Sequence, residues 1–492
     1  MEHALGSWQE MHMQEFNVDV AILGAGTAGL GAYHQASKTT DSLMLIESGP
    51  YGTTCARVGC MPSKLLIAAA DAAHEARHAK MFGVHAADVT VDGREVLNRV
   101  RRERDRFVSF VVNSVEHIPD NQRLKGQARF LGPNSLQVDG HAVVHAQRIV
   151  IATGSRSYIP EMLLPAADRL LVNETLFELP QLPRSVAVFG AGAIGLELGQ
   201  ALSRLGVDVK VFGRSGAVAG IADDEIRVLA GQLFNEEFYL DPDAAVSAVV
   251  HAGAGVEVTY VHRTRGEITE RFDYILAATG RRPNIDDIDL EKSGLTLDKR
   301  GMPDHDSQTM QCGNSHIFLA GDASAEIPLL HEASDEGHIA GINAGRYPDV
   351  QPEQRRAPLA IVFTSPQIAT VGLGLDQIKA RCPRGYGVGS VSFENQGRSR
   401  VLGKNKGELR VYGEYGTDLF LGAEMFGPAA EHVGHLLAWA VQSRMTVTRM
   451  LEMPFYHPVI EEGVRTALRD LNHNLDEGPE ITDSCMECGP GA

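Results

Sequence analysis

The sequence lacks the features that mark several broad classes of protein. Basic residues are in the minority, because 45 Lys and Arg stand against 63 Asp and Glu, and the formal net charge is −18 over 492 residues. No Lys/Arg-rich run of the kind that binds phosphate backbones occurs, so we exclude a nucleic-acid partner. No apolar stretch is long enough to span a bilayer, and the polar segment 1–17 lacks the apolar core of a signal peptide. We therefore expect a cytoplasmic protein without a membrane partner.

Cysteine is scarce, and its placement is informative. The six cysteines include two close pairs, Cys55 with Cys60 and Cys485 with Cys488. In a reducing compartment, closely spaced cysteines serve redox or metal chemistry more often than structure. The remaining cysteines, which show no partner motif and are expected to be structural, are Cys312 and Cys382. Glycine, by contrast, is abundant at 51 residues, which favours close approach of the backbone to ligands at several places.

Two segments share the same order of strand, glycine turn, helix and second strand. In each, an apolar run leads into a G-x-G-x-x-G turn, and the second strand ends about 20 residues later. The first glycine permits the turn, the second lets the backbone reach a pyrophosphate and the third allows close helix packing. The pattern therefore predicts two dinucleotide-binding units. Their glycines are Gly24, Gly26 and Gly29 in the first, and Gly190, Gly192 and Gly195 in the second.

The residue that closes the second strand differs between the two units. Glu47 closes the first and is placed to accept hydrogen bonds from the ribose of an adenosine without a 2′-phosphate, so this site suits FAD. The second unit has Gly213 there, followed by Arg214. The carboxylate that would repel a 2′-phosphate is missing and an arginine that could bind one is present, which predicts activity with NADP(H). The alternative is that Arg214 is a solvated surface residue and that NADH binds without the acid.

Other apolar strands end in small residues around the second unit. Matching Ala-Thr-Gly strand ends precede and follow it, and a later strand ends in Gly-Asp. We interpret this arrangement as an insertion of the second unit into the first. The strand-end residues that we count among the cofactor-binding candidates are Ala152, Thr153, Gly154, Gly280, Gly321 and Asp322.

The most informative stretch is CARVGC, from Cys55 to Cys60. Two sulfurs this close can be joined if the segment begins a helix, yet so short a loop stabilises a fold by only about 2 kcal/mol. A short pair beside a helix N-terminus suits redox cycling better, because the helix end favours the thiolate. The sequence therefore predicts a redox-active pair.

The longer stretch GTTCARVGCMPSK, residues 52–64, resembles the active-site signature of the pyridine nucleotide-disulfide oxidoreductases, most nearly their dihydrolipoamide dehydrogenases. The resemblance extends over most of the chain. It implies that FAD binds the first unit and the Gly-Asp strand end, with Thr54 among the cofactor-binding residues, and that NAD or NADP binds the second unit. It also implies that Cys55 exchanges with substrate and that Cys60 contacts the flavin.

The same resemblance implies two further pairs of residues. Lys64 lies beside the flavin and pairs with Glu197, and His457, followed five positions later by Glu462, resembles the catalytic ending of the family. Thiol exchange needs a base that works near neutral pH, and a carboxylate fixes the imidazole tautomer and raises its basicity. In the family this histidine reaches the cysteines of the other subunit, so a homodimer is implied.

Together these observations predict an α/β protein with two Rossmann-like domains, for FAD and NAD(P), one inserted in the other, and a C-terminal α+β dimerisation domain. The predicted divisions are an FAD domain over 1–155 and 283–355, an NAD(P) domain over 156–282, a dimerisation domain over 356–473 and a tail over 474–492 with a CxxC motif.

Departures from the family leave the substrate open. Arg57 stands where these enzymes generally carry asparagine, and Tyr456 precedes His457 where lipoamide enzymes read His-Ala-His. We expect a small-molecule dithiol or disulfide, or a lipoyl-bearing protein; glutathione and mercuric ion are disfavoured. One alternative is an NADPH-dependent reductase of another low-molecular-weight or protein disulfide that uses the tail pair Cys485 and Cys488. The other is an assembly subunit of a 2-oxoacid dehydrogenase complex. No metal site is expected, because a zinc site in the tail would need further ligands.

Overall fold

The strands account for most of the buried apolar runs in the chain. The computed structural model describes residues 13–382 and 385–475. In chain order the strands are β1 (Gln14–Leu23), β2 (Leu43–Glu47), β3 (Arg123–Lys125), β4 (Ala128–Gly132), β5 (Ser135–Val138), β6 (Ala142–Ile151), β7 (Ser155–Ser157), β8 (Leu170–Leu171), β9 (Ser185–Phe189), β10 (Asp208–Phe212), β11 (Tyr239–Asp241), β12 (Val246–Ala252), β13 (Gly255–His262), β14 (Gly266–Phe272), β15 (Tyr274–Ala277), β16 (Arg281–Pro283), β17 (Ile317–Leu319), β18 (Leu359–Val362), β19 (Gln367–Gly372), β20 (Tyr386–Ser392), β21 (Glu408–Glu414) and β22 (Phe420–Gly427).

The helices, single or in succession, separate groups of strands along the chain, and two of them pack on an antiparallel sheet in the last third. They are α1 (Thr27–Ala36), α2 (Thr54–Arg57), α3 (Cys60–His78), α4 (Gly93–Glu116), α5 (Asn173–Leu176), α6 (Ala193–Arg204), α7 (Asp224–Phe234), α8 (Leu330–Arg346), α9 (Leu375–Arg381), α10 (Gly397–Val401), α11 (Ala430–Gln442), α12 (Val447–Leu451) and α13 (Glu462–Asn474). Within the two described ranges, none of these helices has both the length and the hydropathy that a membrane crossing requires.

The chain forms two compact units. Of the described residues, the first comprises those up to 61, 104–156 and 281–355, and the second comprises 62–103, 157–280 and those from 356 to 475.

The first unit is built on one large sheet. Strands β3, β2, β1 and β6 are adjacent and parallel, β17 also pairs with β6 in parallel, and β5 and β4 extend the β6 edge in antiparallel fashion. The last four residues of β1, VAIL, are all buried, as expected for a parallel strand covered on both faces. Helices α1 and α8 pack closely against each other on this sheet.

The second unit contains a parallel sheet of its own in the order β11-β10-β9-β15-β8, together with the antiparallel strands β12, β13 and β14. All of these strands lie between β6 and β17 in the sequence, and those two strands pair in the first unit. One glycine-turn unit is therefore inserted in the other, which confirms the prediction from the matching strand ends.

The last third of the chain, also in the second unit, forms an antiparallel sheet in the order β18-β19-β22-β21-β20. Helix α11 packs on β19 and β22, and helix α13 packs on β20 and β21. Every residue of the central strand β22 is buried. This mixed arrangement confirms the predicted fold class, in which a C-terminal α+β domain follows two Rossmann-like domains.

Candidate active site and cofactor sites

The first glycine turn joins β1 to α1, and its three glycines have different neighbours. A Cβ at Gly24, whose φ is +104°, would collide with the carbonyl oxygen of Ala152, and a Cβ at Gly29 would collide with that of Gly24. A Cβ at Gly26 would meet no atom within 4 Å. The first and third glycines are therefore required by packing. The open space at the second lies at the N-terminus of the ten-residue helix α1, where a pyrophosphate fits.

The second glycine turn, between β9 and α6, repeats this geometry. A Cβ at Gly190, whose φ is +115°, would collide with the carbonyl oxygen of Ala278, and a Cβ at Gly195 would collide with that of Gly190. Gly192, which precedes the twelve-residue helix α6, again has no atom within 4 Å of an added Cβ. The chain therefore presents two glycine turns of equivalent geometry, one in each unit, and each has room for a phosphate.

Glu47, the last residue of β2, is held at the edge of the first turn. One carboxylate oxygen accepts the N–H of Ala25 at 2.7 Å, and the other accepts the N–H of Gly49 at 2.7 Å. Because Ala25 belongs to the turn, the carboxylate lies beside the phosphate position. This is where the ribose hydroxyls of a bound adenosine would be recognised.

The two strand ends of the first unit carry polar groups that suit a ligand. The hydroxyl of Thr153 is buried and has no hydrogen-bond partner among the described residues. Ser155 donates to Asp322 Oδ2 at 2.6 Å and accepts from Arg281 Nε at 2.7 Å. Gly154 has a φ of +70°. A buried hydroxyl without a partner is rare in folded proteins, so Thr153 is suited to meet a polar group of a bound cofactor.

The Gly-Asp strand end is held by Glu336 and Arg355, which the sequence did not identify. The N–H of Gly321 donates to Glu336 Oε2 at 2.8 Å, and Arg355 Nη2 lies 3.0 Å from Glu336 Oε1. Glu336 is 1% exposed, and burial raises the pKa of its carboxyl. Glu336 lies within α8 and carries no recognisable motif, so no local pattern could have identified it.

The end of β10 differs from the end of β2 for a steric reason. A Cβ at Gly213 would lie 2.7 Å from both the Cα and the carbonyl oxygen of Pro242. No side chain, acidic or otherwise, fits there while Pro242 keeps its place. Arg214 is exposed and has no ion-pair partner among the residues that the structure describes. The neighbouring N–H of Ser215 donates to Asp243 Oδ1 at 2.8 Å, which places a carboxylate near this edge that the sequence did not indicate.

The two cysteines of the CARVGC segment lie at successive helix starts. Cys55 is half-buried in the short helix α2, and Cys60 is exposed and is the first residue of the 19-residue helix α3. A Cβ at Gly59 would lie 3.1 Å from the carbonyl oxygen of Thr54 and 3.3 Å from the Cα of Cys55, so glycine lets the chain pass close to the first cysteine. The N-terminus of α3 favours negative charge on the Cys60 sulfur.

Two other members of this segment are placed by local hydrogen bonds. Thr53 caps α2, because its hydroxyl accepts the N–H of Ala56 at 3.3 Å, and Thr54 is exposed at the first turn. Arg57 Nη1 donates to the carbonyl oxygen of Tyr51 at 3.1 Å. The arginine that departs from the family pattern therefore closes the loop before the first cysteine.

Lys64 and Glu197 form an ion pair in the second unit, with 2.7 Å between Nζ and Oε2. The Glu197 side chain is 6% exposed, and its other oxygen accepts the N–H of Phe363 at 2.9 Å. The Lys64 ammonium also lies 4.7 Å from the centre of the Phe363 ring. The two residues are separated by 133 positions, so the structure brings together a pair that the sequence could join only through the resemblance.

His457 and Glu462 form a second pair in the same unit. His457 Nδ1 lies 3.0 and 3.1 Å from the two carboxylate oxygens of Glu462. Glu462 is buried and also accepts the N–H of Val459 at 3.1 Å, whereas nearly half of the His457 side chain is exposed. The carboxylate fixes Nδ1 as the donor, which leaves Nε2 of an exposed imidazole as the proton acceptor.

Comparison with known proteins agrees with this geometry. Residues 18–337 match the family described as pyridine nucleotide-disulphide oxidoreductase, and residues 359–468 match the dimerisation domain of that family. The chain belongs to the pyridine nucleotide-disulphide oxidoreductase family. It is therefore an oxidoreductase that uses FAD and NAD(P)H, and it carries a dimerisation domain, as predicted.

Similar members of the family include two curated enzymes. The dihydrolipoyl dehydrogenase of Chlamydia pneumoniae is 28% identical over 95% of this chain and 99% of its own length, and that of Halobacterium salinarum is 30% identical over 91% and 95%. Among solved structures, LpdA from Mycobacterium tuberculosis superposes with a TM-score of 0.79 at 25% identity, covering 92% of this chain and 99% of LpdA. The HOCl-induced flavoprotein disulfide reductase RclA from Escherichia coli shares the fold, with a TM-score of 0.75 at 22% identity over 92% and 99%.

The other cysteines of this oxidoreductase differ in their surroundings. Cys312 is fully buried in the core of the first unit, and burial raises the pKa of its thiol to about 12. Burial also raises the pKa of the Cys382 thiol. Both surroundings disfavour the thiolate that thiol exchange requires. Cys485 and Cys488 lie outside the described residues.

Proposed function

We propose that this oxidoreductase passes electrons between a nicotinamide nucleotide and a dithiol or disulfide substrate, with Cys55 and Cys60 as the redox pair. The observation that carries the proposal is the hydrogen bonding of exposed His457 to both oxygens of buried Glu462. A base oriented in this way is what thiol exchange needs near neutral pH.

The exchange with a dithiol takes place in two steps. His457 Nε2 takes a proton from one substrate thiol, and that sulfur attacks the Cys55 sulfur, so that the Cys55–Cys60 bond breaks and Cys60 leaves as a thiolate. The second substrate sulfur then attacks the first, which forms the substrate disulfide and releases Cys55. One proton ends on Cys55 and one on His457, and two electrons end on the cysteine pair. Glu462 stabilises the imidazolium formed in the first step.

The cofactor sites would be held by the residues described above. FAD, when bound, supplies a carrier that accepts the electron pair from the cysteines and exchanges it with the nicotinamide. The open space at Gly26, the carboxylate of Glu47 and the unpartnered hydroxyl of Thr153 support a place for it in the first unit. The matching space at Gly192 supports a nucleotide site in the second unit.

The substrate class is drawn from the relatives. Two of the similar proteins named above are dihydrolipoyl dehydrogenases, which supports dihydrolipoamide or a lipoyl-bearing protein as the dithiol. A cytoplasmic setting, where free thiols stay reduced, suits a chain with few cysteines. The test is a panel of steady-state assays with lipoamide, oxidised glutathione and other disulfides, each with NAD(H) and NADP(H). If the enzyme turns over none of these disulfides with either nucleotide, the proposal is contradicted.

A second candidate is an NADPH-dependent reductase of another disulfide. It is favoured by the edge of the second nucleotide site, where no acid fits at Gly213 and the guanidinium of Arg214 is exposed. Rapid reduction of a disulfide other than lipoamide by NADPH, with slow oxidation of dihydrolipoamide, would select this candidate.

We further propose that each active site combines the cysteines of one subunit with the histidine of the other. Hybrid dimers of Cys55→Ser and His457→Ala subunits test this. If the site is shared, one of the two sites in each hybrid is intact, and mixing two inactive variants restores activity. If the site lies within one subunit, the hybrids stay inactive.

A further inference from the structure

The segment that joins β10 to α7, residues 213–223, has a specific conformation. We call it the nucleotide loop. Four of its residues adopt left-handed backbone angles: Ser215 (φ 59°), Gly216 (φ 73°), Ala219 (φ 50°) and Gly220 (φ 78°). Residues other than glycine rarely adopt such angles, because the Cβ is crowded by the backbone, so the conformations of Ser215 and Ala219 are strained. The surroundings of the nucleotide loop must therefore hold it in place.

The first half of the nucleotide loop is held by the segment 241–243 and by the glycine turn. The N–H groups of Gly213 and Gly216 donate to the carbonyl oxygens of Asp241 and Pro242, at 2.6 and 3.0 Å. The N–H of Ala219 donates to the carbonyl oxygen of Ala191, a residue of the second glycine turn, at 2.8 Å. The position of the nucleotide loop is therefore coupled to the turn where the pyrophosphate would bind.

The second half of the nucleotide loop is held by a side chain of the C-terminal sheet. Glu424, in the central strand β22, is 1% exposed. Its Oε2 accepts the N–H groups of Ala222 at 2.8 Å and Asp223 at 3.1 Å, and its Oε1 accepts the N–H of Leu375 at 3.2 Å. A carboxylate this deeply buried is stabilised by such hydrogen bonds, and it constrains the groups that donate them.

The side chain of Asp223 is anchored separately. It accepts the hydroxyl of Tyr412 at 3.0 Å and lies 2.7 Å from Arg410 Nε, both on β21, and it caps α7 by accepting the N–H of Glu225 at 3.0 Å. The start of α7 therefore has a support that does not involve Glu424. What Glu424 supplies is one oxygen, Oε2, that accepts the last two N–H groups of the nucleotide loop.

We propose that Glu424 is a positioning residue for nucleotide binding. By holding Ala222 and Asp223 it fixes the far end of the nucleotide loop, which presents Arg214 and contacts the glycine turn. The affinity for the nucleotide therefore depends on a side chain of the C-terminal sheet. This inference rests on the proposed nucleotide site at the second glycine turn. In Glu424→Gln one oxygen becomes an N–H donor that faces backbone donors, either at Ala222 and Asp223 or at Leu375. The oxygen that remains is an uncharged and weaker acceptor, so in either orientation the end of the loop loses part of its support.

The test compares Glu424→Gln with Glu408→Gln. Glu408 is a partly buried carboxylate on the adjacent strand β21 that pairs with Arg410 at 3.5 Å and accepts no N–H group of the nucleotide loop, so its replacement removes a nearby charge without removing an acceptor for the loop. We expect the Kd for NADPH and NADH, measured by titration calorimetry, to rise about 3- to 30-fold in Glu424→Gln and to stay unchanged in Glu408→Gln. The KM for the disulfide and kcat at saturating nucleotide should stay within about twofold of wild type.

Three results would overturn the inference. If Glu424→Gln melts at a lower temperature but binds nucleotide as wild type does, the carboxylate is only structural. If that variant does not fold, hydrogen exchange of wild type decides: nucleotide should slow exchange within 213–223, and unchanged exchange under bound nucleotide overturns the proposal. If wild type binds no nucleotide, the proposed nucleotide site fails and this inference fails with it.

Discussion

Replacement of Arg214 by alanine is expected to shift the nucleotide preference away from NADP(H). The Arg214 side chain is exposed and makes no ion pair among the described residues, so its guanidinium is available to a 2′-phosphate. One charge-assisted hydrogen bond contributes about 1.5–3 kcal/mol, or roughly 10- to 150-fold in the specificity ratio. Exposure to solvent weakens such a contact, and the carboxylate of Asp243 lies nearby at the Ser215 N–H. We therefore expect a change of about 10-fold, at the lower end of that range.

The opposite design, a glutamate at Gly213 that imitates Glu47, is expected to fail. An added Cβ would lie 2.7 Å from two backbone atoms of Pro242, and backbone cannot move aside as the end of a flexible side chain can. Overpacking of this kind costs about 1–3 kcal/mol or more. Gly213→Glu should therefore melt at a lower temperature and should not gain affinity for NADH.

The assay is kcat/KM with NADPH and with NADH, at fixed disulfide, for wild type and Arg214→Ala. Arg227→Ala is a matched control, because Arg227 is another arginine near the surface of the same unit and pairs with Asp224. The ratio of the two values should move in Arg214→Ala and stay constant in Arg227→Ala. A wild type that strongly prefers NADH, together with an unchanged ratio in Arg214→Ala, would refute the reasoning.

Three other experiments test separate features of the protein. His457→Ala should lower disulfide turnover about 10²- to 10⁴-fold while flavin reduction by the nucleotide stays nearly unchanged, as stopped-flow absorbance would show, with Tyr456→Phe as the control; equal loss in both half-reactions would contradict the assigned role. Gly26→Ala should keep the melting temperature of the apoprotein but release FAD, measured as bound flavin per chain, whereas Gly29→Ala should also destabilise the fold; retention of FAD by Gly26→Ala would contradict the phosphate site. Cys312, whose thiol pKa burial raises to about 12, should resist alkylation of the native protein at pH 8, and rapid labelling would show that its core opens.

The glycine turns could be predicted from the sequence because the pattern that marks them is contiguous in the chain. The collision that requires Gly29 is with the carbonyl oxygen of Gly24 in the same turn, whereas the collision that requires Gly24 is with Ala152, after β6, and is seen only in the structure. The insertion of the second dinucleotide-binding unit into the first could also be predicted, because the matching strand ends mark where the first sheet is interrupted and resumed.

The contacts that the sequence could not predict join residues that are distant in the chain. Glu424 holds Ala222 across 202 positions, and Pro242 closes the space at Gly213 from a different strand end. Neither contact is marked by a periodic pattern or a motif. A glutamate that accepts hydrogen bonds from a distant loop cannot be told from any other glutamate in the sequence, and the same holds for a proline on which a loop packs. From the sequence, the missing acid at Gly213 indicates only that no carboxylate would repel a 2′-phosphate. The structure adds a steric reason for its absence, the contact with Pro242.

The two glycine turns are so similar that discrimination between cofactors is expected to depend on other parts of the two sites. In both, the first and third glycines are closed by carbonyl oxygens, and the second faces open space at a helix N-terminus, so the proposed phosphate positions are equivalent. Phosphate recognition alone therefore cannot direct one nucleotide to one turn. The difference lies where the second strand ends: at Glu47 a carboxylate bonds back to its own turn, whereas at Gly213 the backbone of 241–243 occupies that space. Because no acid fits at Gly213, we propose that the site recognises the ribose through the next residues of its loop. On this proposal the nucleotide preference should respond to Arg214, and nucleotide affinity should respond to the support that Glu424 gives.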